Sequence, residues 1–328
     1  MHHPTPHAWR GRLRGGWLGI ILVPAIAGAC SSSGATAPLT ASVPPAAAAT
    51  ASIAPSAAVQ MGMDEGIFAK HKLKVELQSG QGGAAMLPAV STGTMNFSVG
   101  NPLSVLLAKN KGLDMKIVTG YSNSLATGND INGVVAKANS GITSAKDLAG
   151  KKVAVNTINA QGDLTIKEVV SQQGGDPNAV QFLELPFQDM GAQLAQGNVD
   201  AVWVPEPFLS KLLADGNKLV TYNNQAALPG LPTMVTFTSG NYAQQNPEVV
   251  NDFKAAMTET LTLAQSNPDK VRALLPAFMK MPENVAKTLR LENFDGKVDE
   301  PTLSKLGTLM AKYKIVPSAP DVAGTILK

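Results

Sequence analysis

The sequence predicts an α/β fold with two lobes. Short runs of aliphatic and β-branched residues alternate with segments whose apolar residues recur at helical spacing. Strands separated by helices in this way are typical of parallel βαβ units. The chain from residue 51 onward is long enough for two domains of ordinary size, each with its own hydrophobic core. The predicted strands cover residues 73–77, 115–119, 152–155, 180–185 and 201–204.

Two segments of the chain repeat one plan, which supports the division into two lobes. Residues 89–102 and 194–205 each contain a helix end, a glycine, a polar residue three positions later, an apolar strand and a proline. Gly93 and Gly197 suit the left-handed conformation that ends many helices. Ligands of open parallel sheets bind beyond the carboxyl ends of the strands. We therefore expect one crevice between the lobes, bordered by Gly100, Asn101 and Glu206.

Residues 1–29 have the order of a secretory signal peptide. Arg10, Arg12 and Arg14 precede an apolar stretch over residues 17–26, and small residues follow it. The apolar stretch is shorter than the roughly 20 residues that span a bilayer. The sequence thus predicts an exported protein whose leader is removed.

Cys30 is the only cysteine and lies where the signal peptide should be cut, so it has no partner for an internal disulfide. The run from Ala27 to Cys30 resembles the bacterial lipobox, whose cysteine carries lipid, although Ala27 stands where leucine is usual. An ordinary signal peptide beside an incidental cysteine is the alternative. Two or more acyl chains anchor a protein stably to a membrane. The expected location is therefore the outer face of the cell membrane, on its periplasmic or extracellular side.

Residues 30–50 are predicted to form a lipidated tether. They are rich in small residues and proline, which bury too little apolar surface to offset the entropy lost on folding. We expect the first strand at residues 50–54, directly before Pro55, rather than near Leu39.

Candidate ligand-binding residues of the first lobe follow its predicted strands. The glycine-rich turn at residues 79–83 precedes a helix, and backbone N–H groups at such a place can approach an anion. A tight turn with no ligand is the alternative, and the acid of a dinucleotide-binding fingerprint is missing. For Ser56 the alternative to ligand binding is a helix cap, and for Tyr121 it is a position in a surface loop. The candidates are Ser56, Gln60, Gly80, Gln81, Gly100, Asn101 and Tyr121.

The corresponding turn of the second lobe is rich in amides. It follows the strand that ends at Val155, and Asp163 should cap the helix after it. Trp203 lies near the end of a later strand, and the alternative to ligand binding by its side chain is a position in the hydrophobic core. Glu206 is the single acid expected at the crevice, where its carboxylate could pair with an amine of the ligand. The alternative is a salt bridge beside the hinge, the connection between the two lobes. The candidates are Asn156, Thr157, Asn159, Gln161, Trp203 and Glu206.

Catalytic groups are scarce in the expected mature chain. His71 is the only histidine after residue 29, and lipidation of Cys30 would leave no free thiol. The sequence has no motif for zinc, calcium or a phosphate loop, and no arrangement that would activate a nucleophile. A formal net charge of +3, partly in the leader, does not support nucleic-acid binding. We therefore expect no enzyme activity, no metal and no cofactor.

Residues 63–77, 147–155 and 197–208 together resemble the binding proteins for nitrate, sulfonates, taurine and thiamine-precursor pyrimidines. The likeness covers about residues 50–320. It implies a two-lobed periplasmic-binding-protein type II fold with the ligand cleft between the lobes. It also implies crossovers near residues 132–136 and 233–238, so that lobe 1 comprises residues 51–134 and 233–328 and lobe 2 comprises residues 135–232.

The function implied by this resemblance is solute binding for an ABC importer, whose permease subunits are the expected partners. We expect a monomer that contacts the membrane through its lipid anchor alone. A small polar or anionic organic solute such as a sulfonate is the expected ligand, and a pyrimidine or another heterocycle is the alternative. A cofactor-biosynthesis enzyme on the same scaffold, or a tethered sensor, would also fit the sequence, and the predicted export argues against the enzyme.

Overall fold

The computed structural model describes residues 46–51, 54–80 and 83–328. The predicted signal peptide, Cys30 and Gln81 lie outside the described residues. Within the described part, no helix is long and apolar enough to cross a membrane.

Strands and helices alternate along most of the chain, as the sequence predicts. The strands are β1 (Ala46–Ala51), β2 (Val75–Gly80), β3 (Phe97–Gly100), β4 (Met115–Asn123), β5 (Asn132–Ala136), β6 (Lys152–Val155), β7 (Gln181–Glu184), β8 (Ala201–Pro205), β9 (Lys218–Thr221), β10 (Pro232–Ser239) and β11 (Asn293–Phe294). The helices are α1 (Ala57–Asp64), α2 (Ile67–Lys70), α3 (Gly83–Ser91), α4 (Pro102–Asn110), α5 (Gln161–Gln172), α6 (Phe187–Gln196), α7 (Phe208–Ala214), α8 (Asn223–Ala227), α9 (Gly240–Gln245), α10 (Pro247–Ser266), α11 (Pro268–Met279), α12 (Glu283–Thr288) and α13 (Glu300–Lys312).

Two separate sheets form the centres of two lobes. The first has the order β11-β4-β10-β3-β1-β2, and the second has the order β7-β6-β8-β5-β9. In the first sheet β1 runs parallel to β2 and β3, whereas β10 is antiparallel to β3 and β4. In the second sheet β6 is parallel to β7 and β8, whereas β5 is antiparallel to β8 and β9. The chain passes from the first sheet to the second between β4 and β5, and it returns between β9 and β10.

Strands β5 and β10 lie where the sequence predicts crossovers. Each begins on the far side of a passage between the sheets, at Asn132 and Pro232. The lobe boundaries at residues 134/135 and 232/233 remain predictions, since β5 begins before the first of them.

In the second lobe the side chains of β5, β6 and β8 alternate between two hydrophobic clusters. Val153 and Val155 pack with residues of α5 in one cluster, whereas Ala154 and Val202 pack with residues of α6 and α7 in the other. A sheet that is buried on both faces has strands that are apolar throughout. This burial explains why β5, β6 and β8 read as short, largely apolar runs, whereas β7 at the edge of the sheet is largely exposed.

The first lobe also has a cluster on each face of its sheet. On one face, Phe97 of β3 stacks on Phe253 of α10, with ring centroids 3.8 Å apart. On the other face, Ile117 and Val235 pack with residues of α4 and α13. The C-terminal helices therefore complete the core of the lobe that the N-terminal strands begin.

The first strand differs from the prediction. It covers Ala46–Ala51 instead of residues 50–54, so it takes in the end of the predicted tether, and Ala54–Ser56 forms a short 3-10 helix. The run of alanines has low intrinsic strand propensity, but β1 lies between β2 and β3 and pairs with both. Pairing on both sides outweighs that low propensity.

The repeated plan of the two lobes is confirmed in backbone geometry. Gly93 follows α3 and Gly197 follows α6, and both have φ of +78°. The next strands are β3 and β8, and both end at the crevice. The two lobes therefore use the same turn to bring a strand end to the space between them.

Candidate functional site

A cavity of about 320 Å³ lies between the two lobes. Its walls come from the ends of β3 and β8, from the first turns of α3, α4 and α5, and from residues near the two passages between the sheets. Ligands in this class of sheet are expected in such a place. The lining residues used below are Gly100, Asn101, Ser104, Asn132, Asn156, Thr157, Gln161, Gly162, Phe187, Trp203, Phe208, Asn224, Thr233 and Glu292.

The wall of the first lobe is fixed by the turn from β3 into α4. Asn101 is the N-cap of α4, and its Oδ1 accepts a hydrogen bond from the backbone N–H of Leu103 at 2.9 Å. The other half of its amide, Nδ2, donates to Oε1 of Gln161 in the second lobe. Gly100 and Asn101 thus lie where the sequence predicts, and Asn101 also joins the two lobes.

The wall of the second lobe is fixed by the turn from β6 into α5. The buried carboxylate of Asp163 accepts from the backbone N–H groups of Ala160 at 2.8 Å and Asn159 at 3.1 Å, which confirms its predicted capping role. Burial raises the pKa of Asp163, and the bond from Ala160 offsets this in part. Asn156, Thr157 and Gln161 line the cavity. Asn159 is exposed, takes a left-handed conformation with φ of +58°, and is not part of the cavity lining.

Gly162 lets the indole of Trp203 reach the cavity. A Cβ atom on Gly162 would lie 2.7 Å from the six-membered ring of Trp203, which is closer than real Cβ contacts. The indole also packs on Phe187, with ring centroids 5.8 Å apart. Trp203 therefore belongs both to the core of the second lobe and to the cavity wall, and its role in ligand binding stays a prediction.

Two buried donors of the cavity wall have no acceptor in the described structure. They are Nε2 of Gln161 and Nε1 of Trp203. Gln161 is only 1% exposed and Trp203 only 8%. A buried N–H group without an acceptor costs free energy, so such groups are rare unless a ligand or water satisfies them.

Glu292 is the ionisable side chain that the structure adds to the cavity wall. It is 5% exposed, its Oε1 accepts from Nδ2 of Asn132 at 3.3 Å, and its Oε2 has no hydrogen-bond partner. Burial raises the pKa of Glu292 to about 7; the hydroxyls of Ser122 and Thr233 counter this in part. No local pattern could reveal this residue, because it precedes a strand of two residues and reaches the cavity through tertiary packing.

Glu206, the acid that the sequence places at the crevice, faces away from the cavity. Pro205 lines the cavity, but the carboxylate of Glu206 turns to the first turn of α7, where it accepts from N and Oγ of Ser210 at 3.0 and 2.7 Å. Arg290 lies 3.8 Å from its Oε1. Burial raises the pKa of Glu206, and the bonds from Ser210 lower it in part. The geometry therefore corresponds to the alternative of a salt bridge beside the hinge.

Three candidates of the first lobe also lie away from the cavity lining. Tyr121 is fully buried, and its hydroxyl donates to the carbonyl of Pro55 at 2.7 Å. Ser56 is buried before α1, and Gln60 donates to Asp64 on the protein surface. Their side chains are engaged by the fold of lobe 1, which strand order alone could not indicate. Gly80 ends β2, and residues 81 and 82 separate it from the start of α3 at Gly83.

The cavity can hold a small polar group by hydrogen bonds rather than by a fixed cation. Among the described residues that line it there is no lysine, arginine or histidine. The described part of the chain also contains no group of three or more histidine, cysteine, aspartate or glutamate residues placed to hold a metal ion. Other lining residues that the sequence did not indicate include Ser104, Phe187, Phe208, Asn224 and Thr233.

Comparison with known proteins assigns the family. Residues 55–271, more than half of the chain, match the family model described as NMT1/THI5 like. The chain belongs to the NMT1/THI5-like family. It is 26% identical over 249 residues to the taurine-binding periplasmic protein of Escherichia coli, covering 74% of this chain and 72% of that protein. It is 25% identical over 238 residues to a putative aliphatic sulfonates-binding protein of Bacillus subtilis, covering 70% and 69%.

Solved structures confirm the fold. The alkanesulfonate-binding protein of Xanthomonas axonopodis pv. citri, bound to MOPS, superposes with a TM-score of 0.73 at 17% identity, covering 86% of this chain and 98% of that one. The described part of the chain therefore has the predicted two-lobed periplasmic-binding-protein fold.

Proposed function

We propose that this protein captures a small sulfonate between its lobes and delivers it to an ABC importer. The observation that carries the proposal is the pair of buried donors without acceptors, Nε2 of Gln161 and Nε1 of Trp203, in a cavity whose described lining contains no basic side chain. A sulfonate offers three oxygen acceptors in one group. Hydrogen bonds to a charged partner contribute about 1.5–3 kcal/mol each, so two such bonds would contribute about 3–6 kcal/mol to the binding free energy of the sulfonate.

The backbone supports an anion at the same place. The first turns of α3, α4 and α5 all contribute to the cavity wall, through Ala84, Asn101 and Gly162 among others. A helix N-terminus carries a partial positive charge and favours anions. Three such ends at one cavity supply positive potential without a lysine or arginine.

The relatives agree with this ligand class. One is named for taurine and one for aliphatic sulfonates, and both match most of this chain. Both names describe ligand-binding proteins, and that of the Escherichia coli relative also says that it is periplasmic, which supports solute capture and export. We propose the same role here, performed by a monomer with residues 135–232 as the second lobe.

We also propose that Cys30 tethers the protein to the outer face of the cell membrane through lipid. The position of Cys30 after Ala27-Gly28-Ala29 supports this. The substitution Cys30→Ala should move the protein from the membrane fraction to soluble or unprocessed material. Cleaved, membrane-bound Cys30→Ala protein would contradict the lipid anchor.

We propose binding without catalysis. His71, the only histidine after residue 29, pairs with Glu259 at 2.9 Å and is not part of the cavity lining. The hydroxyls beside Glu292, the carboxylate in the cavity wall, are those of Ser122 and Thr233, which lie on the paired strands β4 and β10 and bond to each other at 3.0 Å. A solute that is recovered unchanged after incubation with the protein would agree with binding alone. Conversion of the solute into a product would support the enzyme alternative.

A planar heterocycle such as a pyrimidine is the second candidate ligand. It is favoured by the aromatic side chains of the cavity wall: Phe187 lies 6.1 Å from Phe208 and 5.8 Å from Trp203, measured between ring centroids. Rings of this kind can stack on a flat ligand. The unsatisfied donors favour the sulfonate, because a heterocycle offers fewer acceptors in one place.

Titration calorimetry with ethanesulfonate, nitrate and an aminopyrimidine tests the proposal. We expect ethanesulfonate to bind and Trp203→Phe, which keeps an aromatic ring but lacks the N–H donor, to weaken binding by about 1.5–3 kcal/mol. Gln161→Ala should have a similar effect, and Gln60→Ala is the matched control because its amide lies on the surface. Binding of the aminopyrimidine alone would contradict sulfonate capture and support the second candidate.

A further inference from the structure

Glu292 lines the cavity beside residues that flank both passages between the sheets, Ser122 and Asn132 at the first and Thr233 at the second. It precedes β11, which pairs with β4 at Ser122. Its Oε1 contacts Asn132, the first residue of β5, and Thr233 of β10 also lines the cavity. The hydroxyls of Ser122 and Thr233 bond to each other at 3.0 Å. They lie close enough to favour the ionised carboxylate of Glu292, but Oε2 has no partner with hydrogen-bond geometry. One carboxylate oxygen at the hinge therefore has no protein partner in the described structure.

The charged groups around Glu292 do not include a cation bound to it. Arg290, two residues earlier, donates to the hydroxyl of Tyr222 at 3.0 Å and to the carbonyl of Asp130 at 3.3 Å, and it faces Glu206. The carboxylate of Asp130 raises the pKa of Glu292 further, and Glu292 in turn raises the pKa of the buried Tyr121 phenol. A buried carboxylate is normally paired with a cation or hydrogen-bonded on both oxygens.

We propose that Glu292 is a specificity residue that selects sulfonates carrying an amine, by accepting hydrogen bonds from the ligand's ammonium group. This inference rests on the proposed function. The cavity wall then carries two chemically different sets of groups: the donors of Gln161 and Trp203 for the sulfonate, and the acceptor of Glu292 for the amine. A ligand that carries both groups satisfies all three unpaired polar atoms at once.

The protonation of Glu292 fits this role. Burial raises its pKa to about 7, so the empty cavity holds a mixture of neutral and ionised carboxyl near neutral pH. An ammonium group nearby favours the ionised form. Ligands without an amine gain nothing from that ionisation, and an ionised Glu292 repels their sulfonate.

Calorimetric titration of the purified protein with 2-aminoethanesulfonate and ethanesulfonate, which differ only by the amine, tests the proposal. We expect the wild-type protein to prefer the amine-bearing sulfonate by about ten- to a hundredfold, the range for a hydrogen bond to a charged group. Glu292→Gln should reduce that ratio to about one. Glu206→Gln is the matched control, because it neutralises a second buried glutamate whose carboxylate faces away from the cavity, and it should keep the wild-type ratio.

The wild-type protein alone supplies a second measurement, which does not depend on the folding of a variant. Because ionised Glu292 is the form that binds the amine, the preference for 2-aminoethanesulfonate should increase from about pH 6 to about pH 8. A ratio that does not change with pH in the wild type, or that persists in Glu292→Gln, would overturn the role of Glu292.

The outcomes separate this inference from the proposed function. Equal affinity of the wild-type protein for the two sulfonates would overturn the role of Glu292 and leave sulfonate capture in place. Failure to bind either sulfonate would overturn both proposals.

Discussion

Replacing Glu292 with glutamine should change how the stability of the ligand-free protein depends on pH. The side chain is 5% exposed, and its pKa of about 7 lies above the ordinary 4.5. An acid whose pKa is raised by folding favours the folded state below its unfolded pKa, and this contribution is lost as the pH rises through the folded pKa. The difference of about 2.5 between the two pKa values corresponds to about 3 kcal/mol.

Urea unfolding of the wild-type protein and Glu292→Gln at several pH values measures this contribution. The free energy of unfolding of the wild type, relative to that of the variant, should fall by up to about 3 kcal/mol between about pH 4.5 and pH 8. Asp163 and Glu206 are present in both proteins and cancel in the difference, whereas the interaction of Asp130 with Glu292 is lost in the variant and forms part of the measured difference. Parallel stability profiles over this pH range would refute the argument that burial holds the carboxyl of Glu292 partly protonated.

Three further changes have defined outcomes. Changing Thr157 and Gln161 together to alanine should weaken sulfonate binding by a few kcal/mol in calorimetry and leave the melting temperature of the free protein nearly unchanged; equal affinity would show that the turn is only structural. Gly162→Ala should lower both affinity and melting temperature, because its Cβ would meet the indole of Trp203 at 2.7 Å; a variant at least as stable as wild type would contradict that contact. Lys312→Met removes the 2.6 Å ion pair with Glu168, which joins α13 to α5 outside the cavity. Because such a pair contributes about 0.2–1 kcal/mol, release of the bound sulfonate in stopped-flow measurements should be a few-fold faster in the variant. An unchanged release rate would show that this pair does not hold the lobes together.

The sequence predicts the features that depend on local pattern. Apolar runs locate β4, β6 and β8 to within a few residues, because these strands are largely buried on both faces. The prediction for β7 is equally close, although this edge strand is largely exposed. The glycines at 93 and 197 reveal the repeated turn because only a residue tolerant of positive φ suits that helix end. The same reasoning brings Asn101, Thr157 and Gln161 to the cavity.

Features that depend on tertiary packing could not be predicted in this way. The strand at Ala46–Ala51 has the composition of a linker and gains its structure from two neighbouring strands. Glu206 and Glu292 are both acids close to the crevice, but which carboxylate faces the cavity depends on side-chain direction. Ser210 draws Glu206 towards α7, whereas packing beside β4 and β10 turns Glu292 inward.

The indole N–H resonance of Trp203 tests most directly the claim that a sulfonate binds between the lobes. Trp203 is the only tryptophan after residue 29, since the other two are Trp9 and Trp17, so the processed protein should show a single indole signal in a nitrogen–proton correlation spectrum. Titration with ethanesulfonate should move this signal saturably, with the same dissociation constant that calorimetry gives, because the N–H gains an acceptor. A sulfonate that binds by calorimetry and leaves the indole signal unmoved would contradict recognition by Trp203.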